Sequence, residues 1–182
     1  MRIVFPSRST CVLYLAPGPE AHPSVRHRQK TWFASDAGRR YAREGPHSVD
    51  NGDRMDSLLE AAFAARKNAR APYSGFLVGA ALECADGRVF GGCNIESASY
   101  GLTCCAERTA VFAAVAAGAG QFRRLAVATD AARITPPCGA CRQVLWDLCG
   151  DIEILLGNAQ GDTRTFQLSD LFPDPFDANS LA

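Results

Sequence analysis

The sequence predicts an α/β fold, a three-layer α/β/α sandwich built on a mixed five-stranded sheet. Three observations lead there. An amphipathic helix opens the patterned region, two strands joined by a tight turn follow it, and helices then alternate with strands almost to the end. A chain of 182 residues, 47% of them hydrophobic, holds one such domain with a substantial core and hardly a second.

Met55-Asp56-Ser57 starts the first helix, which the periodicity carries to about Ala71 through Leu58, Leu59, Ala62, Phe63 and Arg66. Asp56 or Ser57 can cap it, and Pro72 ends it. Phe76 to Cys84 reads as a strand, Ala85-Asp86-Gly87 as a turn, and Arg88 to Asn94 as the returning strand. A helix from Cys105 to Ala117 stops at Gly118, and Leu125 to Thr129 is a short buried strand. Gly139 to Cys149 is the next helix, closed by Gly150. Strands at Ile152–Leu156 and Thr163–Leu168 and a helical turn at Ser169–Phe172 complete the set.

Residues 1–54 show no sustained periodicity and are punctuated by Pro, Gly, Ser, Arg and His. They read as a disordered extension to a domain spanning 55–182. Two alternatives stand beside that reading: a mis-assigned upstream start, with Met55 the natural first residue, and a targeting segment.

The formal net charge is zero, but residues 1–54 hold nine Lys/Arg against five Asp/Glu, and the remainder ten against fourteen. An acidic domain argues against a nucleic-acid partner, which needs a basic surface. No apolar run reaches the length of a membrane span or a secretory signal, so no membrane partner is expected. The eight cysteines then read as reduced, cytoplasmic and partly metal-binding. The three histidines, His22, His27 and His47, all precede the patterned region, so a metal site there must do without imidazole.

Cys105-Ala106-Glu107-Arg108 and, further on, Pro137-Cys138-Gly139-Ala140-Cys141 carry the chemistry. Zinc takes four ligands, and a catalytic site keeps one position for water. Cys105, Cys138 and Cys141 as thiolates leave that one position open. Cys138 and Cys141 are three apart at the start of a helix, and Cys105 heads another, so two positive helix ends favour the thiolates. Glu107, two residues beyond a ligand, suits a carboxylate that moves protons. Three thiolates on Zn²⁺ sum to −1, which weakens its pull on water; Arg108, Arg142 or both are expected to donate to sulfur and withdraw charge. A Cys-x-x-Cys pair alone could be a redox pair or half of a structural zinc knuckle. A redox pair needs neither Cys105 nor Glu107. A knuckle needs a fourth donor, for which only Cys104 offers itself. Cys84, Cys93 and Cys149 read as small buried apolar residues.

A ligand two residues before Glu, followed by Pro-Cys-x-x-Cys, is the zinc-deaminase signature. The chain resembles the cytidine deaminase family over about residues 55–176. The likeness extends through Ala71-Pro72-Tyr73-Ser74-Gly75-Phe76-Leu77-Val78-Gly79-Ala80-Ala81-Leu82, through Gly92-Cys93-Asn94-Ile95-Glu96-Ser97-Ala98-Ser99-Tyr100 and through Pro136-Pro137-Cys138-Gly139-Ala140-Cys141-Arg142-Gln143-Val144. The resemblance implies one Zn²⁺ per subunit on Cys105, Cys138 and Cys141, with Glu107 as catalytic proton shuttle. It implies that Asn94 and Glu96 hold the ribose 3′-hydroxyl, that Phe76 lines the nucleoside pocket, that Phe176 packs against the base and that the Ala106 N–H faces the pyrimidine carbonyl. An amide donor and a carboxylate acceptor suit a hydroxyl.

The activity so implied is hydrolytic deamination of cytidine and deoxycytidine to uridine and deoxyuridine with loss of ammonia, a pyrimidine-salvage reaction in which zinc-bound hydroxide attacks C4 and Glu107 carries the protons. The resemblance further implies a homotetramer with pockets shared between subunits. Competing readings are deamination of a cytosine-bearing relative such as blasticidin S, deamination of a polynucleotide, and a structural zinc module without activity.

Overall fold

The computed structural model describes residues 55–181, with the side chains of 179 and 181 left aside. The expectations for residues 1–54, including Cys11 and the histidines, lie outside the described residues.

The chain runs α1 (Ser57–Arg66), β1 (Val78–Cys84), β2 (Val89–Cys93), α2 (Ala106–Ala116), β3 (Phe122–Thr129), α3 (Gly139–Cys149), β4 (Glu153–Asn158), β5 (Thr163–Gln167) and the short α4 (Leu168–Leu171), with 3₁₀ turns at Tyr100–Leu102 and Ala178–Leu181. The sheet order is β2-β1-β3-β4-β5. Among the strands of this sheet, β3 and β4 pair in parallel and the other pairs are antiparallel. The sheet is therefore mixed and five-stranded, as the pattern implies. The parallel pair needs a crossover, and α3 supplies it.

Alternation along the strands sorts the core into two layers. Ala81, Ala126, Ala128 and Leu155 face Leu58, Leu59 and Ala62 of α1. Ala80, Leu82, Leu125, Val127, Ile154 and Leu156 face the opposite side, against Ala106, Ala110, Val111 and Ala114 of α2, Leu145 of α3 and Leu168 of α4. Small residues let α2 lie directly on the sheet. A Cβ on Gly92 would stand 2.4 Å from both the Ala106 carbonyl oxygen and the Ala110 nitrogen. That contact sets the height of the first turn of α2, where the chemistry is concentrated.

Element ends depart from expectation where side chains take over backbone partners. Helix α1 stops at Arg66, five residues before Ala71, and the Arg70 backbone pairs with the Asn94–Glu96 segment. β1 starts at Val78, because Asn94 and Ser74 side chains occupy the carbonyl and N–H of Phe76. β3 begins earlier, at Phe122: Arg124 stays in the strand because Glu83 and Asp56 both receive its guanidinium.

Candidate active site

Cys105 is the N-cap of α2 and Cys138 the N-cap of α3. That position normally carries an oxygen side chain that accepts from the first-turn N–H groups. Neither cysteine makes such a bond. Their sulfurs are 3.9 Å apart, and Cys141, in the first turn of α3, brings a third within 4.8 Å of both. A tetrahedral ion with Zn–S bonds of about 2.3 Å holds its sulfurs about 3.8 Å apart, so the spacing fits zinc. The donor set fits too: three soft sulfurs fill three of four positions. Cys104 stands outside the cluster and receives a hydrogen bond from Thr109 Oγ1 at 3.6 Å. A fourth protein donor is therefore missing from the cluster among the described residues, which counts against a closed structural site.

The Cys105 thiol is readied to ionise. A hydrogen bond from Cys141 is the largest influence, and Arg108 and Cys138 add to it, pulling the thiol down to about 5 against the cost of burial. Cys141, fully buried beside that thiolate, is pushed up by it. Of the two arginines, Arg108 reaches a site sulfur: Nη2 donates to the Thr103 carbonyl at 2.9 Å and to Cys105 Sγ at 3.7 Å. Arg142 braces backbone, its Nε donating to the Pro137 carbonyl at 2.8 Å and its Nη1 to that of Leu171. Arg142 thus ties the turn before Cys138 to α4.

Glu107 sits in the first turn of α2 and is 5% exposed. Burial, with the Cys105 charge adding to it, pushes its carboxyl up to about 7. A carboxyl poised there can both take and release a proton near neutrality. Ala106, directly before it, is buried and opens α2, where N–H groups lack helical partners.

Asn94, Glu96 and Phe76 meet on one hydrogen-bonded chain. The Asn94 amide donates to the Phe76 carbonyl at 2.8 Å, and its oxygen accepts from Val78 N–H at 2.8 Å. Phe76 N–H donates to Ser74 Oγ at 3.0 Å, and the Ser74 hydroxyl bonds Glu96 Oε1. Glu96 Oε2 accepts from the N–H groups of Tyr73 and Ser74 at 2.8 and 3.1 Å. The Ser74 bond, ahead of the two N–H groups, holds the Glu96 carboxyl below its usual range despite some desolvation. Ser74 is the member sequence reasoning passed over, although its place in the Pro72–Gly75 turn just before Phe76 was a signal. The segment is locked to the sulfur cluster by backbone: Ile95 and Cys104 exchange N–H···O bonds of 2.9 Å each way, one residue before Cys105. Phe176 lies apart from this chain. The residue is 58% exposed, and its carbonyl accepts from Gln143 Nε2 of α3 at 2.7 Å.

Comparison with known proteins gives the arrangement a lineage. The family described as "Cytidine and deoxycytidylate deaminase zinc-binding region" matches residues 53–154. A cytidine deaminase of Halalkalibacterium halodurans is 50% identical over 125 residues, 68% of this chain and 95% of that protein. The crystal structure of cytidine deaminase from Burkholderia pseudomallei superposes with a TM-score of 0.65 at 54% identity, covering 67% of this chain and 100% of its own. That of Mycobacterium tuberculosis gives 0.58 at 42% identity, with 66% and 94% covered. The sulfur cluster, the mixed sheet that presents it and these relatives agree: the chain belongs to the cytidine and deoxycytidylate deaminase family of enzymes.

Proposed function

We propose that the protein removes the 4-amino group of cytidine and deoxycytidine by hydrolysis, giving uridine or deoxyuridine and ammonia in pyrimidine salvage. One observation carries the reading: three cysteine sulfurs converge from two helix N-termini beside the buried carboxyl of Glu107. Cys105, Cys138 and Cys141 would hold one zinc ion per subunit. When bound, zinc supplies a Lewis acid that makes a water nucleophilic near neutral pH. Glu107 takes the proton that water gives up and delivers it to the ring nitrogen beside C4. It then takes the second proton from the attacking oxygen and passes it to the departing amine, so that ammonia leaves and the carbonyl forms. One carboxyl acting twice balances the reaction. Ala106 offers its N–H to the pyrimidine carbonyl, Phe76 and Phe176 flank the base, and Asn94 and Glu96 hold the ribose 3′-hydroxyl.

Residues 55–182 would form the catalytic domain, with 1–54 a dispensable extension. Reduced thiols suit a cytoplasmic setting, and among the described residues no helix is long and apolar enough to cross a membrane. Tyr73, Tyr100, Leu102 and Phe176 are 53–76% exposed, and such apolar surface supports a homotetramer whose subunits complete each other's pockets. The test replaces Glu107 with Ala and follows ammonia release from cytidine together with bound zinc. Turnover should drop about 10²–10⁴-fold with zinc retained; undiminished turnover overturns the role given to Glu107.

A further inference from the structure

The proposed ribose acceptor does not stand alone in the fold. Glu96 is gripped by a turn far from it in sequence, and the grip has a direction. Ser74 Oγ accepts from the Phe76 N–H at 3.0 Å, which leaves its hydroxyl proton to be donated to Glu96 Oε1. Oε2 is held separately by the N–H groups of Tyr73 and Ser74. The carboxylate is thus clamped at both oxygens: Oε2 is filled by its two donors, and Oε1 keeps a lone pair for a further one. Asn94 is tied to the same Phe76 from the carbonyl side. Ser74 therefore joins two groups that must keep a fixed separation if both are to meet one sugar hydroxyl.

We infer that Ser74 is a positioning residue for nucleoside recognition: its hydroxyl aims the Glu96 carboxylate at the ribose 3′-hydroxyl and couples it to Asn94 through the backbone of Phe76. The inference rests on the ribose reading of Glu96. Pre-orienting the acceptor removes an ordering cost at binding, so its loss falls on substrate affinity more than on the chemical step. The effect requires a 3′-hydroxyl in the substrate and is indifferent to the 2′ position.

The test compares the parent protein with Ser74→Ala and Ser74→Thr on cytidine, deoxycytidine and 3′-deoxycytidine. For Ser74→Ala, KM for cytidine and deoxycytidine should rise about tenfold, the scale of one hydrogen bond to a charged group, with a smaller change in kcat. With 3′-deoxycytidine the penalty should vanish, and Ser74→Thr, which keeps the hydroxyl, should restore most of the affinity. A turn that merely lost its structure would penalise all three substrates alike, so an equal penalty overturns the inference, as does none with any substrate. A parent that turns over cytidine and 3′-deoxycytidine equally well refutes the ribose role of Glu96 itself. That failure is visible before any variant is made.

Discussion

The helix start of α1 differs in kind from those of α2 and α3. The Asp56 side chain accepts from Leu58 N–H at 2.8 Å and so satisfies a first-turn donor of α1, while its other oxygen meets Arg124 Nη1 at 2.7 Å. The N-caps of α2 and α3 are cysteines that satisfy no first-turn donor. Replacing a good cap with a poor one costs a helix about 1 kcal/mol, and the fold accepts that cost twice, in adjacent elements. The difference separates stability from chemistry. At α1 the helix end serves the helix, whereas at α2 and α3 the helix dipoles, uncapped by their N-cap side chains, serve the sulfurs and whatever the sulfurs hold.

The contrast can be broken most forcefully at Cys138. Changing it to Ser supplies the oxygen cap that α3 lacks and removes one of three zinc donors. Zinc content should collapse, and ammonia release should fall by at least about 10³-fold, since a metal-activated water is the nucleophile at stake. In metal-free samples the order should reverse, with Cys138→Ser more stable than the parent by about 0.5–1 kcal/mol in denaturant melts. A variant that loses stability without metal would show that Cys138 already serves its helix, and the contrast would fail.

A smaller effect is expected at Arg108. Its guanidinium touches the Cys105 sulfur and the Thr103 carbonyl, so it both drains charge from a thiolate and holds the loop entering α2. Substitution by Met should cut kcat/KM about 10–100-fold, the range for partners of metal ligands. Bound zinc, measured on the same samples, should stay near the parent's content, because all three sulfurs remain. Loss of zinc in parallel with activity would mean that Arg108 holds the cluster together rather than tuning it.

These sites differ in how much of them the sequence discloses. The sulfur cluster is legible because its geometry is local: a Cys-x-x-Cys at a helix start places two donors within one turn, and Cys105 opens a second helix by the same pattern. Which arginine reaches sulfur is not legible, since Arg108 and Arg142 both stand near ligand cysteines and their partners are decided by packing. The Ser74–Glu96 bond joins residues 22 apart, and although the turn before Phe76 marks Ser74, nothing in the pattern names Glu96 as its partner. The elements and the layers follow from periodicity, but the strand order and the ends of α1, β1 and β3 do not. Those ends depend on side chains arriving from elsewhere, as when Glu83 and Asp56 keep Arg124 in a strand from residues 41 and 68 positions away.

The mildest test lies at the conventional cap, where two substitutions separate its two bonds. Asp56→Ala removes the acceptor for Leu58 and the partner of Arg124, and should cost about 1–2 kcal/mol. Asp56→Asn keeps a capping oxygen and loses only the ion pair, which is partly exposed and worth about 0.5 kcal/mol. Both should leave kcat/KM nearly unchanged, because α1 lies across the sheet from the sulfurs. Acidity provides a sharper signature. Burial raises the Asp56 carboxyl, but Arg124 and the Leu58 N–H outweigh it and hold it below its ordinary value of 3.8. A group depressed in the folded state stabilises fully above the unfolded value, and its contribution fades as the pH falls through the folded one. The stability gap between the parent and Asp56→Asn, read from melts of metal-free protein, should therefore be constant near neutrality and close as the pH drops below 3.8. A gap that persists in acid would mean that the carboxylate charge contributes nothing there, leaving the cap oxygen alone to distinguish α1 from the helices of the active site.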